Sequence, residues 1–183
     1  MHINRFQGGK EIRMTIRIIM LIVMLLIPGC SGTQGPISAG QPETLDPDYH
    51  VITGTYRMEQ NWSIDLSYRF NKRIEKDYLV IWKPGFKIQI SFTDNDRSEK
   101  TEKRLTRIKE KVPSQAFDVQ TDRENEIVRF AYRIIAKKGG SNIQEFHGFV
   151  IGDDSHVEMA FSFERESDLE TARGIWLSVK ETS

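Results

Sequence analysis

The stretch Trp62-Ser63-Ile64-Asp65-Leu66-Ser67-Tyr68-Arg69-Phe70 decides the fold class, because large apolar side chains occupy every second position in it. Successive side chains of a β-strand point to opposite faces, so this pattern predicts a strand with one buried and one wet face. A sheet that is wet on one side is typical of antiparallel pairing. We therefore expect an antiparallel sheet that extends outward from this strand.

Further segments have strand character, and turn residues separate them. Pro84-Gly85 and Gly152-Asp153-Asp154-Ser155 each lie between two such segments and predict hairpins. The predicted strands after Phe70 are 78–82, 86–92, 117–119, 127–136, 143–151 and 156–163.

Two other segments change to helical spacing. The first, 94–111, is strongly charged, has candidate caps at Asp94 and Asp96, and ends before Pro113. Its periodic apolar residues are Leu105, Ile108 and Val112. The second follows Ser167, and its apolar stripe consists of Leu169, Ala172, Ile175, Trp176 and Val179. The predicted class is α+β, a mostly antiparallel sheet of about six or seven strands with one internal and one C-terminal helix packed on it.

This order of elements is similar to that of the small sheet-and-helix domains of the PsbP-like class, several of which occur in exported bacterial lipoproteins. The resemblance covers roughly residues 53–180. It rests on architecture and not on a diagnostic motif, so it carries no binding residues to this chain. What it implies is a small α+β domain in an exported protein.

The first 30 residues have the pattern of a bacterial export signal. Residues 18–27 form an unbroken apolar run of ten, which Arg13 and Arg17 precede and Pro28-Gly29 ends. Ten residues are too few for a bilayer about 30 Å thick, which needs roughly 20, but they match the core of a signal peptide. We therefore predict a signal peptide over residues 1–29, with Met14 as an alternative start.

The segment Leu26-Ile27-Pro28-Gly29-Cys30 resembles the lipobox of bacterial lipoproteins, although Pro28 replaces the usual Ala or Ser. The resemblance implies cleavage before Cys30, diacylglycerol on its sulfur and an acylated new amino terminus, with palmitate-type chains. Two or three such chains hold a protein on a membrane, since each buried methylene contributes about 0.8 kcal/mol. Ser31, where retention in the inner membrane would favour Asp, implies sorting to the outer membrane. The alternatives are a buried N-terminal helix of a cytosolic protein and an uncleaved anchor.

Composition and charge limit the partners. Residues 30–48 are rich in Gly and Pro and predict a lipidated cysteine followed by a flexible tether, which leaves 49–183 as a single α+β domain. Residues 1–29 hold four of the 26 basic and one of the 26 acidic residues, so the remainder carries a net charge of −3. Binding to nucleic acid requires a surplus of clustered Lys and Arg and is not expected. The predicted partners are the membrane, reached through the lipid on Cys30, and another envelope protein; the oligomeric state stays open.

We predict no catalytic residue, cofactor or metal. Cys30 is the single cysteine, so no intrachain disulfide is possible, and its acylation leaves no thiol nucleophile. The sequence has no Gly-x-Ser-x-Gly elbow, and Gly139-Gly140 lacks the lysine and helix of a phosphate loop. His147 and His156 are the core of the one candidate metal site. Its other members are Asp153, Asp154 and Glu158, which we interpret as turn formers and as the polar face of a strand.

The functional hypothesis is a non-catalytic, protein-binding lipoprotein, with immunity against an envelope-targeted toxin as the favoured role. Trp62 and Trp176 are predicted in the core, whereas Trp82 is a candidate exposed anchor for a protein contact. The alternatives are an envelope assembly or structural factor, and a small-ligand carrier or enzyme whose site the sequence does not show. A deep pocket with converging His147 and His156 would favour the last alternative, and a filled core would count against it.

Overall fold

Nine strands and two short helices make up the part of the chain that the computed structural model describes, residues 44–95 and 99–182. One 3₁₀ turn, Glu166–Asp168, precedes the second helix. The strands are β1 (His50–Arg57), β2 (Trp62–Glu75), β3 (Tyr78–Lys83), β4 (Phe86–Asp94), β5 (Phe117–Glu124), β6 (Ile127–Lys138), β7 (Ser141–Ile151), β8 (Ser155–Phe163) and β9 (Lys180–Glu181). The helices are α1 (Thr101–Lys109) and α2 (Leu169–Leu177).

The sheet has the order β1-β2-β3-β4-β8-β7-β6-β5, with β9 added to β2, and all its pairs are antiparallel. The predicted α+β class, with an antiparallel sheet and two helices, is confirmed. The predicted number of strands, six or seven, is wrong. β1 was missed because most of its residues are exposed on both faces and Gly54 interrupts it. β9 has two residues, too few to form a pattern.

β2 folds back over one face of the sheet. Between the pairs Ile52–Phe70 and Gly54–Leu66, β1 has one residue and β2 has three, so β2 bends there as at a β-bulge. A straight β2 would carry Trp62 roughly 27 Å beyond Phe70, away from the other strands. Instead, Trp62 Nε1 donates a 2.7 Å hydrogen bond to Ser155 Oγ, at the start of β8. We call β1 and the first half of β2 the fold-back hairpin.

The main core lies between the fold-back hairpin, α2 and the inner face of the sheet, which carries Ile88, Phe146 and Met159. Trp176 of α2 packs edge-on against Phe146, with ring centroids 5.6 Å apart, and its Nε1 donates to the carbonyl oxygen of Phe149. Trp62 and Trp176 are 0% and 2% exposed, which confirms their predicted place in the core.

A smaller core lies on the outer face, which carries Tyr132, His147 and Glu158. Here α1 covers part of β6 and β7, and Leu105 is its buried apolar residue. The buried residues of this cluster are Leu105, Val128, Phe130, Tyr132, Phe149 and Ile151.

Both helices are shorter than predicted. Asp94 is the last residue of β4, so its prediction as a helix cap is wrong; Lys100 occupies the cap position without a side-chain bond. Asp96 lies outside the described residues. Ser167 belongs to the 3₁₀ turn, so α2 begins only after this turn, at Leu169.

Candidate functional site

Cys30 and the export segment lie outside the described residues. The signal peptide, the lipobox and the tether up to residue 43 therefore stay predictions from sequence. Within residues 44–95 and 99–182, no helix is long and apolar enough to cross a bilayer.

The described chain begins where the predicted tether ends, and it is held on the outer face. The backbone N–H of Asp46 donates a 3.0 Å hydrogen bond to Asn71 Oδ1, and Asn71 Nδ2 donates one of 2.7 Å to the Asp46 carbonyl. Asn71 is 1% exposed, so these bonds satisfy a buried amide. Asn71 was not predicted as a functional residue, although in the sequence its amide directly follows the apolar Phe70.

Trp82 is part of the same attachment. Its ring meets Tyr49 edge-on at 4.8 Å, and the Arg73 guanidinium lies 5.0 Å from the Trp82 ring. The side chain is half-buried. The expectation that Trp82 is exposed is therefore wrong, because contacts within the chain cover much of the ring; its part in a protein contact stays a prediction.

His147 and His156 lie on the outer face of neighbouring strands but do not converge. His147 pairs with Ala160 and His156 with Ile151, so four positions of β8 separate the two histidines. At about 3.4 Å per residue, that is roughly 14 Å. Among the described residues, no group of three or more His, Cys, Asp or Glu side chains is placed to hold a metal ion.

His156 belongs to a network that joins α1 to the turn between β7 and β8. Its Nδ1 lies 2.8 Å from Asn95 Oδ1, and Asn95 Nδ2 donates a 2.9 Å bond to the Gly152 carbonyl. Arg104 of α1 donates to the carbonyls of Gly152 and Asp153, at 3.1 and 2.9 Å. Burial lowers the pKa of His156, and three cations lower it further: Arg107, Arg104 and Lys111. The neutral imidazole is thus the folded form, and its role here is structural.

His147 lies in a second polar group on the outer face. It stacks on Tyr132 with ring centroids 4.9 Å apart, and its Nε2 lies 3.1 Å from Glu145 Oε2. Burial, followed by the charges of Glu158 and Glu145, raises the pKa of Tyr132 to about 12. Burial among the strands raises the pKa of Glu158 as well, but the residue remains exposed and solvent screens the effect. These groups lie on an open sheet face rather than around an enclosed substrate.

Over residues 99–111 of the charged run 94–111, most charged side chains are exposed, whereas Arg104 is buried. Within it, Glu99 lies 3.1 Å from Arg107 and 3.8 Å from Lys103. Glu102 pairs with Arg123 of β5. Ion pairs within this segment therefore stabilise α1, and the pair between Glu102 and Arg123 connects α1 to the sheet.

One end of the sheet concentrates acidic residues. This end, which we call the acidic end, contains the β2–β3, β5–β6 and β7–β8 turns, the tip of the fold-back hairpin and β9. Its carboxylates without an ion pair to any described residue are Glu59, Asp77, Glu126, Asp153 and Glu181. Their sequence positions span more than 120 residues, so only the fold brings them together.

Glu181 shows that these charges influence one another. Its carboxylate lies over Gly152, where an added Cβ would come within 2.6 Å of Glu181 Oε1. Burial raises the pKa of Glu181, and the charges of Asp153, Asp154 and Glu126 raise it further. The neighbouring carboxylates thus disfavour the charged form of Glu181.

An open cleft of about 220 Å³ adjoins the acidic end, between the tip of the fold-back hairpin and the ends of β2, β3 and β4. Glu59 and Asp77 are among the residues that line it. Its apolar lining consists of Ile74, Tyr78, Leu79 and Phe92. Ile74 is 69% and Tyr78 43% exposed, so the cleft offers accessible apolar surface next to unpaired carboxylates.

No protein-family model matches this chain, and the comparison with curated proteins finds no match. Among solved structures, the chain is similar to a protein of Bacteroides thetaiotaomicron VPI-5482 determined at 1.50 Å, with a TM-score of 0.57 and 10% sequence identity. The match covers 72% of this chain and 49% of that one, so this chain spans about half the length of the structure that it matches. At this identity the likeness shows the fold alone.

Proposed function

We propose that this protein is a lipoprotein tethered through Cys30 to the periplasmic leaflet of the outer membrane, where it acts as a non-catalytic protein-binding module. Its role in this proposal is immunity against a toxin that targets the cell envelope. The order of charge, short apolar run, Gly29 and Cys30 supports the anchor.

The observation that carries the binding role is the filled interior of the domain. Phe70, Phe146 and Phe161 are each 0% exposed, and Trp62 and Trp176 close the space between the sheet, the fold-back hairpin and α2. Ligand carriers and enzymes use concave, largely preformed cavities. A domain whose interior is occupied by its own side chains recognises other molecules at its surface, and this supports recognition of a macromolecule.

The anchor is tested with Cys30→Ser, and Ser31→Ala is the matched control. We expect Cys30→Ser to abolish labelling by a fatty-acid analogue and to move the protein from the membrane to the soluble fraction. Ser31→Ala keeps the thiol and should keep the label. Membrane association that is unchanged in Cys30→Ser would rule out the lipid anchor.

The binding role is tested by affinity capture with the full chain at low salt and by deletion of its gene. We expect capture of a specific envelope or toxin protein, and a deletion strain that is killed by that toxin while its envelope stays intact. Loss of envelope integrity without toxin sensitivity would replace immunity with an assembly role. If capture recovers nothing and deletion changes neither property, the proposed function fails.

A further inference from the structure

The acidic end brings together five carboxylates that have no ion pair to any described residue. The side chains of Glu59, Asp77, Glu126, Asp153 and Glu181 have no cationic partner among the described residues. One carboxylate of this end, Glu124, is paired with Arg129 at 2.9 Å. Away from it, Glu166 is paired with Arg133 at 2.7 Å and Glu170 with Arg173 at 2.9 Å. A surface that leaves its carboxylates unpaired attracts cationic molecules and repels acidic ones.

Apolar surface accompanies this charge. Ile74, beside the β2–β3 turn, is the most exposed large apolar residue of the described chain at 69%, and Tyr78 is 43% exposed. They share the cleft with the carboxylates of Glu59 and Asp77, and Lys76 is the basic residue of the lining. An apolar recess with a charged rim is the usual arrangement of a protein contact site.

The acidic end also lies away from the attachment of the predicted tether. The segment 44–49 is held by Asn71 and Trp82, and Trp82 lies next to the β3–β4 turn, at the other end of the sheet. A domain tethered through this segment keeps the acidic end accessible.

From these observations we infer that the acidic end binds a basic segment of the partner protein and that an apolar side chain of this segment enters the cleft beside Ile74 and Tyr78. The inference rests on the proposed protein-binding function and adds the surface and the chemistry of the partner. Lys or Arg side chains of the segment face Glu59 and Asp77 on the rim and the carboxylates of Asp153 and Glu181 beyond it. The negative potential steers the cationic partner, and the apolar side chain fixes its position.

The experiment uses the mature chain from residue 30 with Cys30→Ser, and the peptide Lys-Lys-Leu-Lys-Lys as probe. Matched peptides replace Leu by Ser or every Lys by Glu. Titration followed by amide resonances should show binding of the first peptide, with shifts near Glu59, Asp77 and Asp153. Affinity should fall by about fivefold or more between 50 and 300 mM salt, since screening weakens attraction between exposed charges. The acidic peptide should not bind.

Variants separate charge from apolar contact. Glu59→Gln combined with Asp77→Asn should weaken binding of both lysine peptides several-fold. Ile74→Ser should weaken the Leu peptide and leave the Ser peptide unchanged. The controls are Glu170→Gln and Tyr68→Ser, which alter an exposed carboxylate and an exposed aromatic residue away from the acidic end and should leave binding unchanged.

The outcomes that overturn the inference are distinct from failure of the proposed function. If a captured partner binds the Glu59→Gln/Asp77→Asn variant as tightly as the wild type, the protein-binding function stands and the acidic end is not its surface. If Ca²⁺ alone shifts these resonances and the peptide does not, the end is a cation site. Self-association that the charge variant abolishes would make a second copy the occupant.

Discussion

The two faces of the sheet differ in how they are covered. The inner face lies under α2 and the fold-back hairpin, and 21 buried residues form its core within the described chain. On the outer face, α1 covers a cluster of six buried residues, and polar groups around His147 lie beside it. Stability therefore comes mainly from the inner face, which leaves the outer face and the sheet end open to polar and charged side chains. Four experiments test this division.

The largest effect is expected for Trp176→Ala in the inner core. Trp176 is 2% exposed and packs on Phe146, so its removal loses apolar burial and leaves a cavity between α2 and the sheet. The free energy of unfolding should fall by about 3–5 kcal/mol, as for other buried aromatic residues. Urea denaturation followed by circular dichroism measures it. A loss below about 1 kcal/mol would mean that the inner core is not the main source of stability.

A matched pair of leucines compares the two faces directly. Leu66 of the fold-back hairpin is 2% exposed and Leu105 of α1 is 4% exposed. Leu66→Ala and Leu105→Ala therefore remove the same side chain from two almost equally buried positions. We expect a loss of about 4 kcal/mol for Leu66→Ala and about 2.5 kcal/mol for Leu105→Ala, since a short surface helix can move inward and reduce the cavity. Equal losses would show that α1 is held as rigidly as the inner elements. The same denaturation experiment measures both values.

Close packing on the inner face predicts the effect of one added methyl group. A Cβ on Gly148 would lie 2.5 Å from Trp176 Cδ1, and the buried indole has little room to move. Gly148→Ala should therefore destabilise the protein by about 1–3 kcal/mol. Gly174, in α2, has nothing within 4 Å of an added Cβ, so Gly174→Ala should stabilise it by up to about 1 kcal/mol. Combining Gly148→Ala with Trp176→Leu should cost less than the sum of the two single changes if the indole is the obstacle.

The positions of the strands and helices were predicted better from the sequence than the bends within them. Alternation from Trp62 to Phe70 predicted the first nine residues of β2, yet Tyr68, which shares this pattern, is 54% exposed because β2 bends there. The bend depends on two extra residues relative to β1, and β1 itself was missed. The acidic end was not predicted, since its carboxylates come from separate turns and from β9. A signal for it was present at one position, because Asp153 lies in the segment Gly152-Asp153-Asp154-Ser155, which the sequence already indicated as a turn.

The smallest effect concerns His156 on the outer face. Burial and the cations Arg107, Arg104 and Lys111 lower its pKa in the folded protein, so the unfolded chain binds its proton more readily. The stability that the neutral imidazole contributes is present above the unfolded pKa, about 6.5, and is lost as pH falls from there toward the folded pKa.

Replacing this side chain isolates its contribution. In His156→Asn, the free energy of unfolding should change less between pH 7 and pH 5 than in the wild type, and the substitution should lower it at pH 7 because the bond to Asn95 is altered. The raised pKa values of Glu158 and Glu181 act in the opposite direction, since acidification favours their protonated folded forms, and both are present in each protein. The difference between the two pH profiles therefore reports on His156 alone. If the pH profiles of the wild type and the variant are parallel, protonation of His156 is not coupled to folding. In that case Arg104 and its neighbours hold α1 to the β7–β8 turn without a contribution from the imidazole.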